Sequence, residues 1–284
     1  MREVTTGKKT GIQWTLWTHL EDLDYADDIA LLSHTQNQMQ QKTADLDNTA
    51  KSVGLNINHG KTKILRVNSD TKDLITLNGK PLEEVESFTY LGSIIDQQGG
   101  TTADIRNRIA QARNAYNQLW KLWKARKISL KTKIRIFNSN VKSVLLYGSE
   151  SWTSTKTNCK KLQTFINTCL RRILKIRWPE RIRNEELWAR TGQAPVDEEL
   201  GRRRWRWIGH TLRKPASSTA KQALKWNPQG KRGRGRPRIS WRRCLDEEVK
   251  RTNYSWNQME KLSQQRDEWR SMVRGLYPGR GDGQ

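Results

Sequence analysis

The stretch Glu-Asp-Leu-Asp-Tyr-Ala-Asp-Asp-Ile-Ala-Leu-Leu, residues 21–32, places five carboxylates within eight positions and then continues as an apolar run. Leu23 and Tyr25 lead into an Ala-Asp-Asp turn, and Asp is a frequent turn residue. An uninterrupted apolar run such as residues 29–32 is typical of a strand that is buried on both faces. The pattern therefore predicts a β-hairpin that carries carboxylates at its tip.

The two adjacent aspartates, Asp27 and Asp28, admit two interpretations. Mg²⁺ prefers carboxylate oxygens, and nucleotidyl-transfer enzymes use two such ions to activate the attacking hydroxyl and stabilise the leaving group. Neighbouring strand residues face opposite sides, so such a site requires a third carboxylate from another strand. The alternative is a solvated acidic turn. A calcium loop is excluded, because an alignment from Asp22 places Ser33 where a bidentate Glu is required.

The charge is distributed unevenly along the 284 residues, which carry a formal net charge of +24. Residues 1–100 contain 10 Lys and Arg against 14 Asp and Glu, residues 101–200 contain 21 against 8, and residues 201–284 contain 22 against 7. Arg and Trp are interleaved at residues 202–207. Guanidinium groups bind phosphates and indoles stack on bases, so the basic part predicts a polyanionic partner. The alternative for any single Trp is burial in the core.

The three cysteines, Cys159, Cys169 and Cys244, show no Cys-x-x-Cys spacing, and no apolar signal segment precedes them. This predicts free thiols and a reducing, intracellular setting. Together with His210 they also lack the spacing of a zinc site. The longest apolar run is about four residues, against the roughly 20 that cross a bilayer, so no membrane span is expected.

The pattern of apolar residues changes near residue 100. Before it, Asn78-Gly79 predicts a hairpin, residues 88–95 predict one apolar strand, and residues 36–53 predict an amphipathic helix that Gly54 ends. A Gly/Arg/Pro loop is expected at 227–239. After residue 100, apolar residues that recur every three or four positions predict helices at 105–123, 130–145, 162–176, 196–212, 240–252 and 255–274. The predicted fold class is α+β.

Tyr25-Ala26-Asp27-Asp28 followed by Ile-Ala-Leu-Leu resembles the Tyr-x-Asp-Asp box of reverse transcriptases, and in particular that of non-LTR (LINE-type) retrotransposons. Two further motifs follow in the order of that family. Gly54-Leu55-Asn56-Ile57-Asn58 with Lys61-Thr62-Lys63 is similar to its next palm motif, and Phe88-Thr89-Tyr90-Leu91-Gly92 resembles its primer-grip region. Residues 104–149 also resemble the segment that follows the palm.

This resemblance implies an RNA-directed DNA polymerase. Residues 1–100 would form a partial antiparallel palm sheet with helices, residues 101–195 a helical thumb-like region, and residues 196–284 a basic helical C-terminal region. Its cofactor would be Mg²⁺. Its partners would be an RNA template and a DNA primer or target, which implies a nuclear or nucleocytoplasmic location.

The resemblance also implies roles for single residues. Asp27 would be the main metal ligand of the box and Asp28 a supporting one. Lys61 would lie near the incoming triphosphate and protonate the leaving pyrophosphate. Lys63 is the competing assignment, and an exposed turn lysine is the other alternative. The remaining positions would contact the primer: Tyr25, Phe88, Tyr90, Leu91 and Gly92.

The sequence departs from the family before Asp27. A working reverse transcriptase also needs a first metal-binding Asp on an earlier strand, and none of the acidic residues in the 26 positions before Asp27 lies on a separate apolar strand. Loss of one ligand of a two-metal site costs orders of magnitude in rate. We therefore expect a polymerase fragment that is inactive alone, with an incomplete Mg²⁺ site. The alternative is a non-catalytic nucleic-acid-binding protein derived from such an element.

The stretch Lys-Arg-Gly-Arg-Gly-Arg-Pro-Arg, residues 231–238, has an Arg-Gly-Arg-Pro core that is similar to an AT-hook. Glycine lets an extended backbone lie in a narrow A·T minor groove, whose negative potential attracts Arg234, Arg236 and Arg238. An irregular RNA-contacting or nuclear-import segment is the alternative. These three arginines are predicted to bind nucleic acid.

Overall fold

The structure is a computed structural model and describes residues 5, 7, 9–15, 17–69, 73–226 and 240–278. The described residues form two compact units. The first comprises residues up to 100 together with Trp226, and the second comprises residues 101–225 and 240–278. The division near residue 100 coincides with the change of apolar pattern. The predicted boundary between residues 195 and 196 stays a prediction.

The first unit contains one long helix and a series of short strands. Four strand pairs are antiparallel, β1 with β2, β3 with β4, β6 with β7 and β9 with β10, whereas β5 and β8 are parallel. The bounds are β1 Ile12–Gln13, β2 His19–Leu20, β3 Asp22–Tyr25, β4 Asp28–Leu31, α1 Gln36–Ser52, β5 Lys63–Ile64, β6 Thr76–Leu77, β7 Lys80–Pro81, β8 Glu83–Glu84, β9 Ser87–Tyr90 and β10 Ser93–Asp96.

The strand content confirms an α+β fold, but two details differ from the sequence prediction. The described strands form five separate two-stranded ladders instead of one palm sheet. The single strand predicted at 88–95 is wrong, because Leu91 and Gly92 both adopt positive φ, 48° and 78°, and turn the chain back on itself. Positive φ at both central positions is the geometry of a two-residue hairpin loop. Leucine is not a turn former, so the apolar run concealed this turn.

Helix α1 is fixed at both ends by the residues that the sequence indicates. The Thr35 hydroxyl accepts a hydrogen bond from the Gln38 amide at the N-terminus, and Gly54 has a φ of +77° just after the C-terminal residue, Val53. The Gln40 side chain pairs with the backbone of Thr76, accepting from its N–H at 2.7 Å and donating to its carbonyl at 2.9 Å. The Gln40 side chain therefore holds the helix against the β6–β7 hairpin, with the same two hydrogen bonds that the backbone of a paired strand would form.

The first unit has a small apolar core. Among the described residues, only Ile75, Leu77 and Leu82 form its buried cluster, with Met39, Ile57 and Ile64 packed against them. This core lies under the β6–β7 hairpin, where Asn78 and Gly79 adopt positive φ as the Asn-Gly pair predicts.

The second unit contains helices and no strand among its described residues. Two predicted helices are interrupted: the 105–123 helix breaks at Leu119, and the 255–274 helix breaks at Gln265. The helix that begins at Leu130 passes through a π-helical segment, Phe137–Lys142. The bounds are α2 Thr102–Gln118, α3 Trp120–Lys124, α4 Leu130–Ile136, α5 Ser143–Leu145, a 3₁₀ turn Ser149–Ser151, α6 Lys156–Ile173, α7 Asn184–Thr191, α8 Val196–Leu212, α9 Thr219–Lys225, α10 Trp241–Val249, α11 Trp256–Gln264 and α12 Arg266–Leu276.

The Arg/Trp stretch at 202–207 contributes to the interior of this unit. Arg204 is fully buried and donates hydrogen bonds to Glu248 at 2.5 Å, to the Trp152 carbonyl at 3.1 Å and to Ser154. The indole of Trp205 is also fully buried and donates to the second carboxylate oxygen of Glu248 at 2.7 Å. The prediction that this stretch contacts a polyanion is therefore wrong for Arg204, whereas Trp205 follows the alternative of a tryptophan in the core. Their guanidinium and indole hold α8 against α10.

Helix α8 approaches α12 through two glycines. A Cβ atom on Gly209 would lie 2.1 Å from Nε1 of Trp269, and a Cβ on Gly201 would lie 2.3 Å from the ring of Tyr277. The Trp269 indole donates to the Trp205 carbonyl at 3.0 Å, so the ring cannot move away without losing that bond. The absence of a side chain at Gly201 and Gly209 thus allows the rings of Tyr277 and Trp269 to approach the α8 backbone closely.

We expect Gly209→Ala to destabilise the second unit by about 1–3 kcal/mol, the usual cost of an inserted methyl group in a packed interior. Gly275→Ala is the matched control, because a Cβ there meets no atom within 4 Å and alanine is favoured over glycine in a helix by up to about 1 kcal/mol. Urea unfolding followed by far-ultraviolet circular dichroism measures both. Equal midpoints for the two variants would contradict the close approach of Trp269.

Candidate active site

The predicted acidic hairpin is formed by β3 and β4. Tyr25 pairs with Asp28 at its tip, and Ala26 and Asp27 form the two-residue turn. Ala26 has a φ of +56°, a conformation that costs a residue with a Cβ about 1–2 kcal/mol. The turn predicted from the carboxylates is therefore present, and it is held in a strained backbone conformation.

The exposure of this hairpin differs from the sequence prediction. Asp27 and Asp28 are both exposed, and Ile29 is 41% exposed, so the apolar run after the turn is not buried on both faces. Asp27 belongs to the turn and not to a strand, which means that strand alternation does not set its direction relative to Asp28. The alternating faces apply to the strand residues alone: Tyr25 and Asp28 share one face, and Asp24 and Ile29 share the other.

The base of the hairpin is held by a buried lysine from α1. Lys42 is 1% exposed, forms an ion pair with Glu21 at 2.5 Å and donates to the carbonyls of Glu21 at 3.1 Å and Leu32 at 2.6 Å. The Leu32 amide in turn donates to the Glu21 carbonyl at 2.9 Å. One ammonium group therefore satisfies both chain ends of the hairpin. Sequence reasoning missed this role, although a lone lysine between Met39 and Leu46 on the inner face of α1 is a signal for it.

Glu21 is the acidic partner of this arrangement. Its carboxylate also accepts hydrogen bonds from the Thr10 amide at 3.0 Å and the Thr10 hydroxyl at 2.9 Å. Burial alone raises the pKa of Glu21, but Lys42 together with hydrogen bonds from Gly11 and Thr10 outweighs it and lowers the pKa below its ordinary value. Lys42 and Thr10 thus stabilise the charged form of Glu21 at the base of the hairpin.

The primer-grip motif lies beside the acidic hairpin. Tyr90 of β9 donates its hydroxyl hydrogen bond to the Leu23 carbonyl of β3 at 3.1 Å. Burial, followed by the negative charges of Asp28, Asp24 and Asp22, raises the pKa of Tyr90 above its ordinary value. Tyr90 and Leu23, which are 67 residues apart in the sequence, therefore join the stretch that resembles a primer grip to the acidic hairpin. Phe88 packs near Tyr90 with ring centroids 6.4 Å apart, whereas Leu91 and Gly92 form the exposed turn.

The two candidate lysines lie in a different part of this unit. Lys61 is exposed in the turn before β5, and its amide donates to the Asn58 side chain at 3.1 Å. The ammonium group of Lys63 pairs with Glu83 of the neighbouring strand. No hydrogen bond or ion pair in the described part of the chain joins either lysine to Asp27 or Asp28. Their catalytic assignments remain predictions.

The residues present do not fit a two-ion magnesium site. Within the described ranges, no three His, Cys, Asp or Glu side chains are grouped so that they could hold a metal ion. Asp27 and Asp28 are therefore two acidic ligands without a third. We derive no chemical step through a metal.

Two further sequence predictions concern other regions. Arg234, Arg236 and Arg238 lie outside the described residues, so their predicted binding role stays a prediction. None of the helices in the described part of the chain has both the length and the apolar character that a bilayer-crossing segment needs.

We expect Lys42→Met to weaken the base of the hairpin by about 3 kcal/mol, because a buried carboxylate and two carbonyls lose their partner. Amide hydrogen exchange at Leu32 measures this effect. Lys51→Met is the matched control on the same helix: Lys51 is 45% exposed, and its partners, Asp47 and Asn78, are not residues of the hairpin, so exchange at Leu32 should not change. Unchanged exchange at Leu32 in Lys42→Met would contradict the structural role of Lys42.

The lowered pKa of Glu21 predicts an acid-sensitive hairpin. A group whose folded pKa is depressed contributes stability above its unfolded pKa and loses that contribution as the pH falls through the folded pKa. Protection of the Leu32 amide should therefore be constant above the ordinary Glu21 value of 4.5 and decrease below it. Glu21→Gln should lose this pH dependence, and a decrease that persists in Glu21→Gln would assign the effect to another group.

Comparison with known proteins supports the resemblance. Residues 16–95 match the family model of reverse transcriptase (RNA-dependent DNA polymerase), and residues 115–147 match that of a domain of unknown function (DUF6451). The chain is also similar to a transposon-derived protein of Caenorhabditis elegans, with 25% identity over 272 residues that cover 90% of this chain and 96% of that protein.

The first match contains both the acidic hairpin and the Phe88–Gly92 stretch, which the hydrogen bond from Tyr90 to the Leu23 carbonyl joins. It confirms the predicted reverse-transcriptase resemblance, and the relative supports an origin in a transposon. The non-LTR type stays a prediction. Residues 16–95 are therefore similar to reverse transcriptases, within a chain that is similar over most of its length to a transposon-derived protein.

Proposed function

We propose that this protein is a nucleic-acid-binding derivative of a non-LTR retrotransposon reverse transcriptase and does not polymerise DNA by itself. The observation that carries the proposal is the hydrogen bond between Tyr90 and the Leu23 carbonyl. It joins the Tyr-x-Asp-Asp hairpin to the stretch that resembles a primer grip. The two stretches that resemble family motifs are thus adjacent in space, and this contact supports the proposal.

The proposed lack of polymerase activity rests on the acidic hairpin itself. A two-metal mechanism needs carboxylates that bridge both ions and hold the attacking and leaving oxygens in line. Asp27 and Asp28 are exposed, and no third ligand joins them among the described residues. Two aspartates at a solvated turn bind Mg²⁺ only weakly, because water competes for the same ion.

The proposed binding of nucleic acid rests on the charge of the second unit. Residues 101–200 carry 21 Lys and Arg against 8 Asp and Glu. Part of the positive charge of the second unit is structural: Lys142 and Arg203 both pair with Glu199, and Arg204 pairs with Glu248. The excess cations attract phosphate groups and release condensed counterions when they bind. An RNA template, or a DNA primer or target, has the required charge, and a DNA partner implies a nuclear or nucleocytoplasmic location.

The proposed non-LTR type is supported only by the residue identities within the motifs. The Gly54–Asn58 stretch occupies the turn after α1, with Gly54 in the left-handed conformation that a helix end requires. The glycine of this motif therefore has a structural reason, and the family-specific residues that follow it are exposed or half-buried in the loop before β5.

We expect the purified chain to bind a labelled RNA–DNA primer-template and to show no Mg²⁺-dependent primer extension. Asp27→Ala should leave the affinity unchanged, because Asp27 makes no proposed phosphate contact. Binding should weaken steeply with salt, with log K falling by about 0.7–0.9 per phosphate contact for each tenfold rise in salt. Fluorescence anisotropy and a gel-based extension assay provide the two measurements.

Two results would contradict this proposal. Primer extension by the wild-type chain that Asp27→Ala abolishes would show that the hairpin is a working catalytic centre. An affinity that does not depend on salt would remove the electrostatic argument for a nucleic-acid partner.

A further inference from the structure

A basic groove lies between α2 and α6 of the second unit. Its volume is about 730 Å³, and its lining includes four cationic side chains and no acidic one. Tyr116 of α2 donates to the Cys169 carbonyl of α6 at 3.5 Å and closes the floor. The cations along its edges are Arg113, Lys160, Lys161 and Arg172.

These cations differ from the other basic side chains of this unit. Arg113, Lys160 and Arg172 are exposed, Lys161 is half-buried, and none of the four forms an ion pair with Asp or Glu in the described part of the chain. Like charges in one groove repel each other unless an anion lies between them. The groove is therefore suited to an anionic ligand that contributes several charges.

The electrostatic environment of Cys169, at the floor of the groove, shows the influence of two of these cations. Burial raises the pKa of the Cys169 thiol to about 12, and the positive charges of Arg172 and Arg113 act in the opposite direction. Guanidinium groups from both helices thus lie close to the same buried sulfur. The groove is bounded by positive charge on both sides.

The spacing along α6 suits an extended ligand. Lys160 and Arg172 are twelve residues apart, and at 1.5 Å per residue the groove edge is about 18 Å long. Phe165 lies between them and is half-buried, so part of its ring is available to a base. Sequence-tolerant binding of a single strand combines cations that follow the backbone with an aromatic ring on which a base stacks.

We propose that this groove binds one strand of nucleic acid, with its phosphates on the four cations and a base on Phe165. The inference rests on the proposed function and assigns its binding site to a defined surface. Stacking on Phe165 requires an unpaired base, which favours a single strand over a duplex. An acidic polypeptide would match the charges, but it would leave the aromatic floor without a stacking partner.

The test compares two double variants that remove the same charge. Lys160→Gln with Lys161→Gln neutralises the groove, and Lys127→Gln with Lys131→Gln neutralises two exposed lysines that do not line it. Binding of a fluorescein-labelled 12-nucleotide oligouridylate by the full chain is followed by anisotropy at several salt concentrations. The groove variant should bind more weakly, with a salt slope lower by about 1.4, because each single-strand contact contributes about 0.7. The control should keep the wild-type slope.

Phe165→Leu tests the stacking contact separately. This variant should lower the affinity about fivefold or more at every salt concentration without changing the slope, because stacking on an aromatic ring involves no counterion. Thermal unfolding of each variant shows whether it is folded. An unchanged affinity of the folded Phe165→Leu protein would overturn the stacking contact.

Other outcomes separate the groove from the proposed function. If the wild-type chain binds the oligonucleotide and both double variants lose affinity equally, binding depends on general positive charge and the groove assignment is wrong. If poly-glutamate displaces the oligonucleotide as well as an unlabelled strand does, the groove takes an acidic polypeptide instead. If the wild-type chain does not bind at all, both the groove and the proposed function are overturned.

Discussion

The acidic hairpin depends on one buried ammonium group. Lys42 is 1% exposed and pairs with the Glu21 carboxylate. It also donates hydrogen bonds to the carbonyls of Glu21, just before β3, and Leu32, just after β4. An unpaired charge in that position would be costly, so the lysine and the glutamate require each other. Asp27 and Asp28 at the tip take no part in these interactions at the base. Five carboxylates can therefore lie within eight positions, because Glu21 stabilises the base and the others face solvent or the neighbouring Tyr90.

The sequence predicted those features that depend on local chemistry. Asn78-Gly79 forms the expected hairpin because both residues tolerate positive φ, and Gly54 ends α1 for the same reason. The turn at Leu91-Gly92 was missed, because an apolar residue in a left-handed conformation leaves no local signal and is imposed by the pairing of β9 with β10. Burial of Arg204 was also missed, since it depends on Glu248, which is more than 40 residues away.

The candidate site shows the same limit. The motifs predicted which residues belong together, and the contact between Tyr90 and Leu23 agrees with that grouping. Their order alone did not indicate how Asp27 lies relative to Asp28, because a turn residue escapes strand alternation. The groove between α2 and α6 was not predicted at all. Its four cations come from two helices more than 40 residues apart, and the periodicity of each helix alone shows only a charged outer face.

The unequal interiors of the two units have a further consequence. The described part of the first unit encloses three buried apolar side chains, whereas the second unit has two extended apolar clusters. Segments with few buried contacts open locally at a lower free energy than densely packed ones. On warming, the family's signature hairpin would melt before the helices that form the groove. At such a temperature part of the population would have an unfolded hairpin and a second unit that is still folded and positively charged.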